Sequence, residues 1–283
     1  MAGIGFELKK IYGRKTLAAN LWGTIYVTMT TIGPAVLLLA LKLLLDQAGL
    51  TVLEERFFVA STTYAFVIAT LASVRFAAPV SRYISDCIFL SRESEICSSA
   101  FGILALSTTV SGIVMFLLCA GIYYNSQDEV SMTFLVSYYF LGVLVTDVYS
   151  MMTYASALKH YKALTFSFFL GVLLALAVYF LCTRQLGVDK VTAACMALAC
   201  CYFLVLFALV FQCVKAFGMP RGRYFAFLPY FRRYPKLAAG SFAYTLGIYC
   251  PTIIYWFFLG LRSRSAFSTQ LRSTISPCSW LFL

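Results

Sequence analysis

The chain has 283 residues, of which 61% are hydrophobic and only 12% charged, and its mean hydropathy is +0.86. Soluble domains of this length are about half apolar and a quarter charged, so this composition excludes them and indicates a polytopic membrane protein. The net charge of +11 is the surplus expected of Lys/Arg-rich cytoplasmic loops, and it calls for no nucleic acid partner.

The opening stretch MAGIGFELKKIYGRK lacks the order of a secretory signal, in which basic residues lead directly into a short apolar core and a small-residue cleavage site. Ile4, Leu8, Ile11 and Tyr12 fall at helical spacing, with Glu7, Lys9, Lys10 and Arg14 on the other side. Residues 1–18 therefore predict an amphipathic strip lying on the membrane surface, its cations meeting anionic head groups. Seven apolar runs of crossing length follow, at about 19–41, 57–79, 101–124, 132–156, 161–182, 190–213 and 237–260. The first six are expected to form one bundle over 19–213, and the seventh to begin a second.

Orientation follows from the basic residues. A cytoplasmic N-terminus places Lys9, Lys10, Arg14, Lys15, Arg82, Arg92, Lys159, Lys162, Lys215, Arg221, Arg223, Arg232, Arg233 and Lys236 on one side. The opposite loops before the last span hold only Arg56, Arg184 and Lys190, with Lys42 near a helix end, and they carry Asp46, Glu54, Glu55, Asp128 and Glu129. The positive-inside rule thus puts the N-terminus in the cytoplasm. The loop 214–236, containing GMPRGRYFAFLPYFRRYPK, is basic, aromatic and interrupted by Pro220, Pro229 and Pro235, so it is not one continuous helix. It reads as an interfacial connector or, through Arg221, Arg223, Arg232 and Arg233, as a contact surface for a cytoplasmic partner or anionic lipid. Beyond Gly260, residues 261–283 turn Ser/Arg-rich, with Arg262, Arg264 and Arg272 on the side that otherwise avoids arginine. This segment is expected to be frameshifted or disordered and the chain to be truncated.

Ionisable groups within spans are costly and mark functional positions. Asp147 lies near the middle of the fourth span and Arg75 toward the cytoplasmic end of the second. They could pair with each other, or line a pathway for a polar solute together with the hydroxyls of TTIGP, Thr31 among them. Gly33 and Pro34 in the first span, Pro79 ending the second, and Gly247 and Pro251 in the seventh permit close approach and bending.

Catalytic and cofactor signatures are missing. There is no HExxH, G-x-S-x-G, P-loop or dinucleotide fingerprint. Most of the ten cysteines lie in apolar runs without a CxxC pair, and His160 is the single histidine. Neither a metal site nor any cofactor is expected, and the chain does not read as an enzyme.

Several segments together carry a family resemblance: MAGIGFELKK, the IGP of the first span, RYISD, SALKHYKAL, and FLPYFRRYPKLA followed by GSFAYTLGIY. In order and spacing, over nearly all of residues 1–260, these resemble PelG, the integral membrane subunit family of bacterial Pel exopolysaccharide secretion. The resemblance implies an all-α polytopic inner-membrane bundle, similar to the first half of a two-bundle transporter of the multidrug/oligosaccharidyl-lipid/polysaccharide flippase superfamily. It further implies a polysaccharide substrate, a cytoplasmic glycosyltransferase and other inner-membrane Pel subunits as partners, and a cavity opening alternately to each side. Where an acidic–basic pair would be expected in the seventh span, this chain has CPTIIYW, with Pro251 and Thr252. Rival readings are a lipid-linked oligosaccharide flippase, a small-molecule antiporter, and a non-transporting scaffold anchoring the glycosyltransferase.

The predicted topology has a direct check. A cysteine introduced at Gln127 should react with an externally added, membrane-impermeant thiol reagent, and one at Arg232 should not; protection at Gln127 would reverse the assignment.

Overall fold

A computed structural model describes residues 38–39, 42–43, 52–126, 130–155, 161–220 and 222–260. The predicted strip 1–18, nearly all of the first span, Thr31, Arg221 and the tail 261–283 lie outside the described residues. From Val52 onward the described chain is helical: α1 Val52–Phe89, α2 Glu93–Ser126, α3 Met132–Ala155, α4 Tyr161–Arg184, α5 Lys190–Phe217, α6 Leu228–Arg233 and α7 Pro235–Gly260. All but α6 are long and apolar enough to cross a membrane. Hydrocarbon offers the backbone no hydrogen-bond partners, so an apolar run of this length closes its amides and carbonyls on itself as a helix.

α3 is the hub. It packs against α1, α2 and α5; α5 in turn carries α4, and α7 lies along α1. Burial follows this arrangement: 61% of the α3 span lies inside the bundle against 6% of the α7 span. Aromatic pairs fill the spaces between helices. Phe57 meets Phe134 across α1 and α3 with ring centroids 4.9 Å apart, and Phe66 meets Tyr202 of α5 edge-on at 5.8 Å. Edge-on pairs of this kind place the positive rim of one ring near the negative face of the next.

Four predicted spans agree with α3, α4, α5 and α7 within about one turn. The second and third do not. Pro79 does not end the second span; it lies within α1, which continues to Phe89, and α2 begins at Glu93 rather than near 101. Proline removes one amide and crowds one carbonyl, a local loss offset by packing beyond it. Val80, Tyr83, Ile84 and Cys87 are buried at helical spacing, so the stretch after Pro79 is anchored by its apolar stripe. At 38 residues, α1 is about 57 Å long, well beyond the ~30 Å of a hydrocarbon core.

The basic loop after α5 is broken, as its prolines predict, but it is not a free connector. Positive φ at Gly218, Gly222 and Arg223 turns the chain back along the bundle, a conformation that glycine adopts at little cost. Phe227 is then fully buried, Phe231 stacks edge-on against Phe76 at 6.0 Å, and Tyr230 against Tyr83 at 5.3 Å. The Tyr230 hydroxyl donates to Asp86 Oδ2 at 3.0 Å. Burial, and then the Asp86 carboxylate beside it, hold this phenol above its usual range. On the other side of the loop, the Tyr224 carbonyl lies so close to Gly102 of α2 that a Cβ there would overlap it.

Gly102→Val should therefore push the loop off α2. A thermal melt in detergent is expected to show destabilisation of about 1–3 kcal/mol. Gly247→Ala, where nothing lies within 4 Å of the added Cβ, should melt like the parent chain.

Candidate functional site in the membrane bundle

Hydroxyl side chains are frequent in the spans, and most serve their own helix. Thr62 donates to the Phe58 carbonyl at 2.8 Å, Thr70 to Phe66 at 2.7 Å, Ser137 to Thr133 at 2.7 Å and Thr146 to Gly142 at 2.8 Å. A hydroxyl one turn along from a helix carbonyl can satisfy itself this way and need not find a partner across the interface. A few hydroxyls reach a neighbouring helix, and those between α2 and α3 define the candidate site.

At its centre is Asp147, 4% exposed and the only buried acidic side chain among the described residues. The α2 run LALSTTVSG presents Ser107 and Thr108 to it. The Ser107 hydroxyl donates to Asp147 Oδ1, with the Leu104 carbonyl at 3.1 Å as its alternative acceptor. Thr108 Oγ1 donates to Oδ2 at 2.7 Å. Both carboxyl oxygens are thus occupied, and no described cation pairs with them. Charge-assisted hydrogen bonds to both oxygens lower the cost of a carboxylate among apolar side chains. The arrangement also suits the neutral acid, whose own O–H can donate to either hydroxyl oxygen.

Further contacts set the register of the two antiparallel helices around this centre. The Cys119 thiol points at the Leu135 carbonyl (3.7 Å), Met115 lies over Gly142, and the Tyr154 hydroxyl donates to Ser99 Oγ at 3.1 Å. One turn along α3 from Asp147, Ser150 Oγ is buried with no hydrogen-bond partner; the hydroxyl of Tyr202 on α5 is likewise unsatisfied. Ser150 thus leaves a buried hydroxyl without a partner one turn from the carboxylate.

Arg75 and Asp147 are not brought together. Arg75 is on the exposed side of α1, its Nε donating to the Ala72 carbonyl at 3.3 Å and its guanidinium 5.6 Å from the Phe76 ring centroid. Arg223, Arg232 and Arg233 are exposed on the loop. The partners that complete the seam, Ser107 and Thr108, carry only the signal of adjacent hydroxyls in an apolar run, which does not say which helix they face. Among the described residues no cluster of three His, Cys, Asp or Glu could hold a metal ion, and the nine described cysteines are free.

The coupling across the seam is measurable. Thr108→Val and Asp147→Asn should each destabilise the bundle, and the double variant should lose less than the two combined, with a coupling of roughly 1–2 kcal/mol in a double-mutant cycle. Strict additivity would mean that the contact does not hold α2 to α3.

Neither the curated proteins nor the solved structures contain a match to this chain. A family does match, over residues 1–268: PelG, described as "Putative exopolysaccharide Exporter (EPS-E)". The match begins at the first residue and continues past Gly260, and it joins six membrane-length helices to a role in exopolysaccharide export. The chain is a multi-pass membrane protein that belongs to the PelG family.

Proposed function

We propose that this chain is the inner-membrane component that moves nascent Pel-like exopolysaccharide outward, using a flippase-like bundle whose α2–α3 seam opens toward the sugar. Family membership supports the substrate class. The observation that carries the mechanism is Asp147: a lone carboxylate buried in the bundle and held only by hydroxyls.

Hydroxyl donors are what a sugar offers. A carboxylate released by Ser107 and Thr108 could accept the same kind of hydrogen bond from a polysaccharide hydroxyl or amide, so the exchange conserves bond type. The unsatisfied Ser150 hydroxyl one turn away adds a second group for a polar solute. A salt bridge at this position would be far harder to open, because separating the pair would leave an uncompensated charge in low dielectric. Neutral hydroxyl partners keep the closed state sealed while leaving the opening cost small.

In this reading the N-terminus is cytoplasmic. The glycosyltransferase that elongates the polymer, with the other inner-membrane subunits, meets the chain at the helix ends on that side. There the α1–α2 turn exposes three consecutive bulky apolar residues, Ile88, Phe89 and Leu90. Arg75 lies outside the seam and has no part in this pathway.

Asp147→Asn keeps the shape of the side chain and removes its charge. Introduced in the intact secretion system, it should lower secreted polymer at least about tenfold, the loss expected when one charge-assisted contact worth ~1.4 kcal/mol is removed, with the protein still present in the membrane. Unchanged secretion would remove Asp147 from the mechanism. Undiminished secretion in Asp147→Asn, with the glycosyltransferase still co-purifying, would instead favour a non-transporting scaffold.

A further inference from the structure

Arginines far apart in sequence are collected around one aromatic stack. The guanidinium of Arg75 and the ring of Phe231 both contact Phe76, and the two residues after Phe231 are Arg232 and Arg233. All three arginines are exposed. Arg233 lies 5.8 Å from the Tyr234 ring centroid. No carboxylate among the described residues pairs with any of them. Asp86, whose partner Tyr230 adjoins Phe231, is already engaged by that phenol at 3.0 Å and by Arg82 Nε at 3.6 Å. Nor can the chain from α5 onward supply one, because neither Asp nor Glu occurs after Asp189.

The depth of this cluster follows from helix length. The apolar run of α1 opens at Phe57, directly after Glu54, Glu55 and Arg56, and the nineteen residues from there to Phe76 cover about 29 Å of helix. On α2, Gly102, which the loop touches, lies twenty-two residues from Tyr124, where the apolar run gives way to Asn125 and Ser126, about 33 Å. Both lengths match a hydrocarbon core of ~30 Å. The loop therefore sits at the edge of the bilayer, and α1 and α2 continue past it. At that level Phe225, Leu228 and Leu237 are also exposed, the mixture of apolar and cationic side chains that suits the head-group boundary.

We propose that Arg75, Arg232 and Arg233 form a seat for the phosphate of an acidic phospholipid, with the exposed apolar residues of the loop against its acyl chains. Three guanidiniums without counter-charges among the described residues, beside a packed aromatic stack, complement an anionic lipid in charge, position and polarity. The seat is separate from the α2–α3 seam and does not depend on transport.

Native mass spectrometry of the purified full chain, equilibrated with equal amounts of phosphatidylglycerol and phosphatidylcholine, reads the proposal directly. The parent chain should retain phosphatidylglycerol preferentially. Arg75→Gln, and Arg232→Gln combined with Arg233→Gln, should reduce that retention by roughly fivefold for each arginine removed. Arg82→Gln, whose guanidinium already pairs with Asp86, should leave it unchanged, and millimolar inorganic phosphate should not compete. Equal retention of the two lipids, intact preference in the glutamine variants, or an equal loss in Arg82→Gln would overturn the seat. Competition by inorganic phosphate would overturn it as well, assigning the arginines to a soluble anion. If a glutamine variant fails to fold, Arg→Lys at the same positions keeps the charge and must keep the preference; its loss there would also count against the proposal. Polymer export is not read in this measurement, so its outcome and that of Asp147→Asn are independent.

Discussion

A carboxylate buried in an apolar bundle has to be hydrogen-bonded where it stands, and the placement of α2 against α3 is organised around that requirement. Left unpartnered, Asp147 would cost the bundle several kcal/mol. Ser107 and Thr108 offset part of that cost by donating one bond to each carboxyl oxygen. Because they are adjacent on one turn of α2, both bonds form in one register of the two helices, and a slide by a single turn would lose both. Met115 over Gly142 on one side and Tyr154 with Ser99 on the other repeat the same register in packing and in a second polar contact.

The consequence for the fold is that α3 becomes the interior of the molecule. Three helices surround it, and its buried residues extend around more of its circumference than a surface helix allows. Elsewhere the helices are held mainly by shape. Within lipid there is little hydrophobic drive between spans, so ring pairs such as Phe66 with Tyr202 and the close approach of α5 at Gly171 supply the contact. Hydroxyls that return to their own helix add no inter-helix bond. The seam is set apart by using directional polar contacts at an interface where its neighbours use packing, and such contacts can be exchanged for those of a polar solute.

The loop between α5 and α7 solves a different problem with the same residue types. Phe227, Tyr230 and Phe231 turn inward to Phe76, Tyr83 and the region of Gly102, and Tyr230 ties the loop to Asp86. The outward face is left cationic. Anchoring the rings fixes where the charges stand, which a mobile loop of identical composition would not do. The surface pair Arg82–Asp86 adds little by itself, being exposed and separated by 3.6 Å; the contribution of Asp86 is to receive Tyr230.

What the sequence alone determined is the part set by solvent. Long apolar runs, scarce charge and loops biased toward lysine and arginine are local properties, and they dictated a helical membrane protein with its spans near their observed places. Asp147 was legible for the same reason, since one acidic residue in an apolar run is conspicuous without any knowledge of its neighbours. Tertiary structure decided the pairings. Nothing local distinguishes Ser107 and Thr108 from hydroxyls that bond their own helix, because which face of α2 meets α3 depends on how all the helices pack. Pro79 looked like a terminus because proline disfavours helix interiors, but the stripe of Val80, Tyr83, Ile84 and Cys87 gains enough from burial to carry α1 through it. Arg75 and Asp147, alike as charges inside spans, fell on opposite sides of this division: the structure leaves one on the outside of the bundle and buries the other in its core among hydroxyl donors.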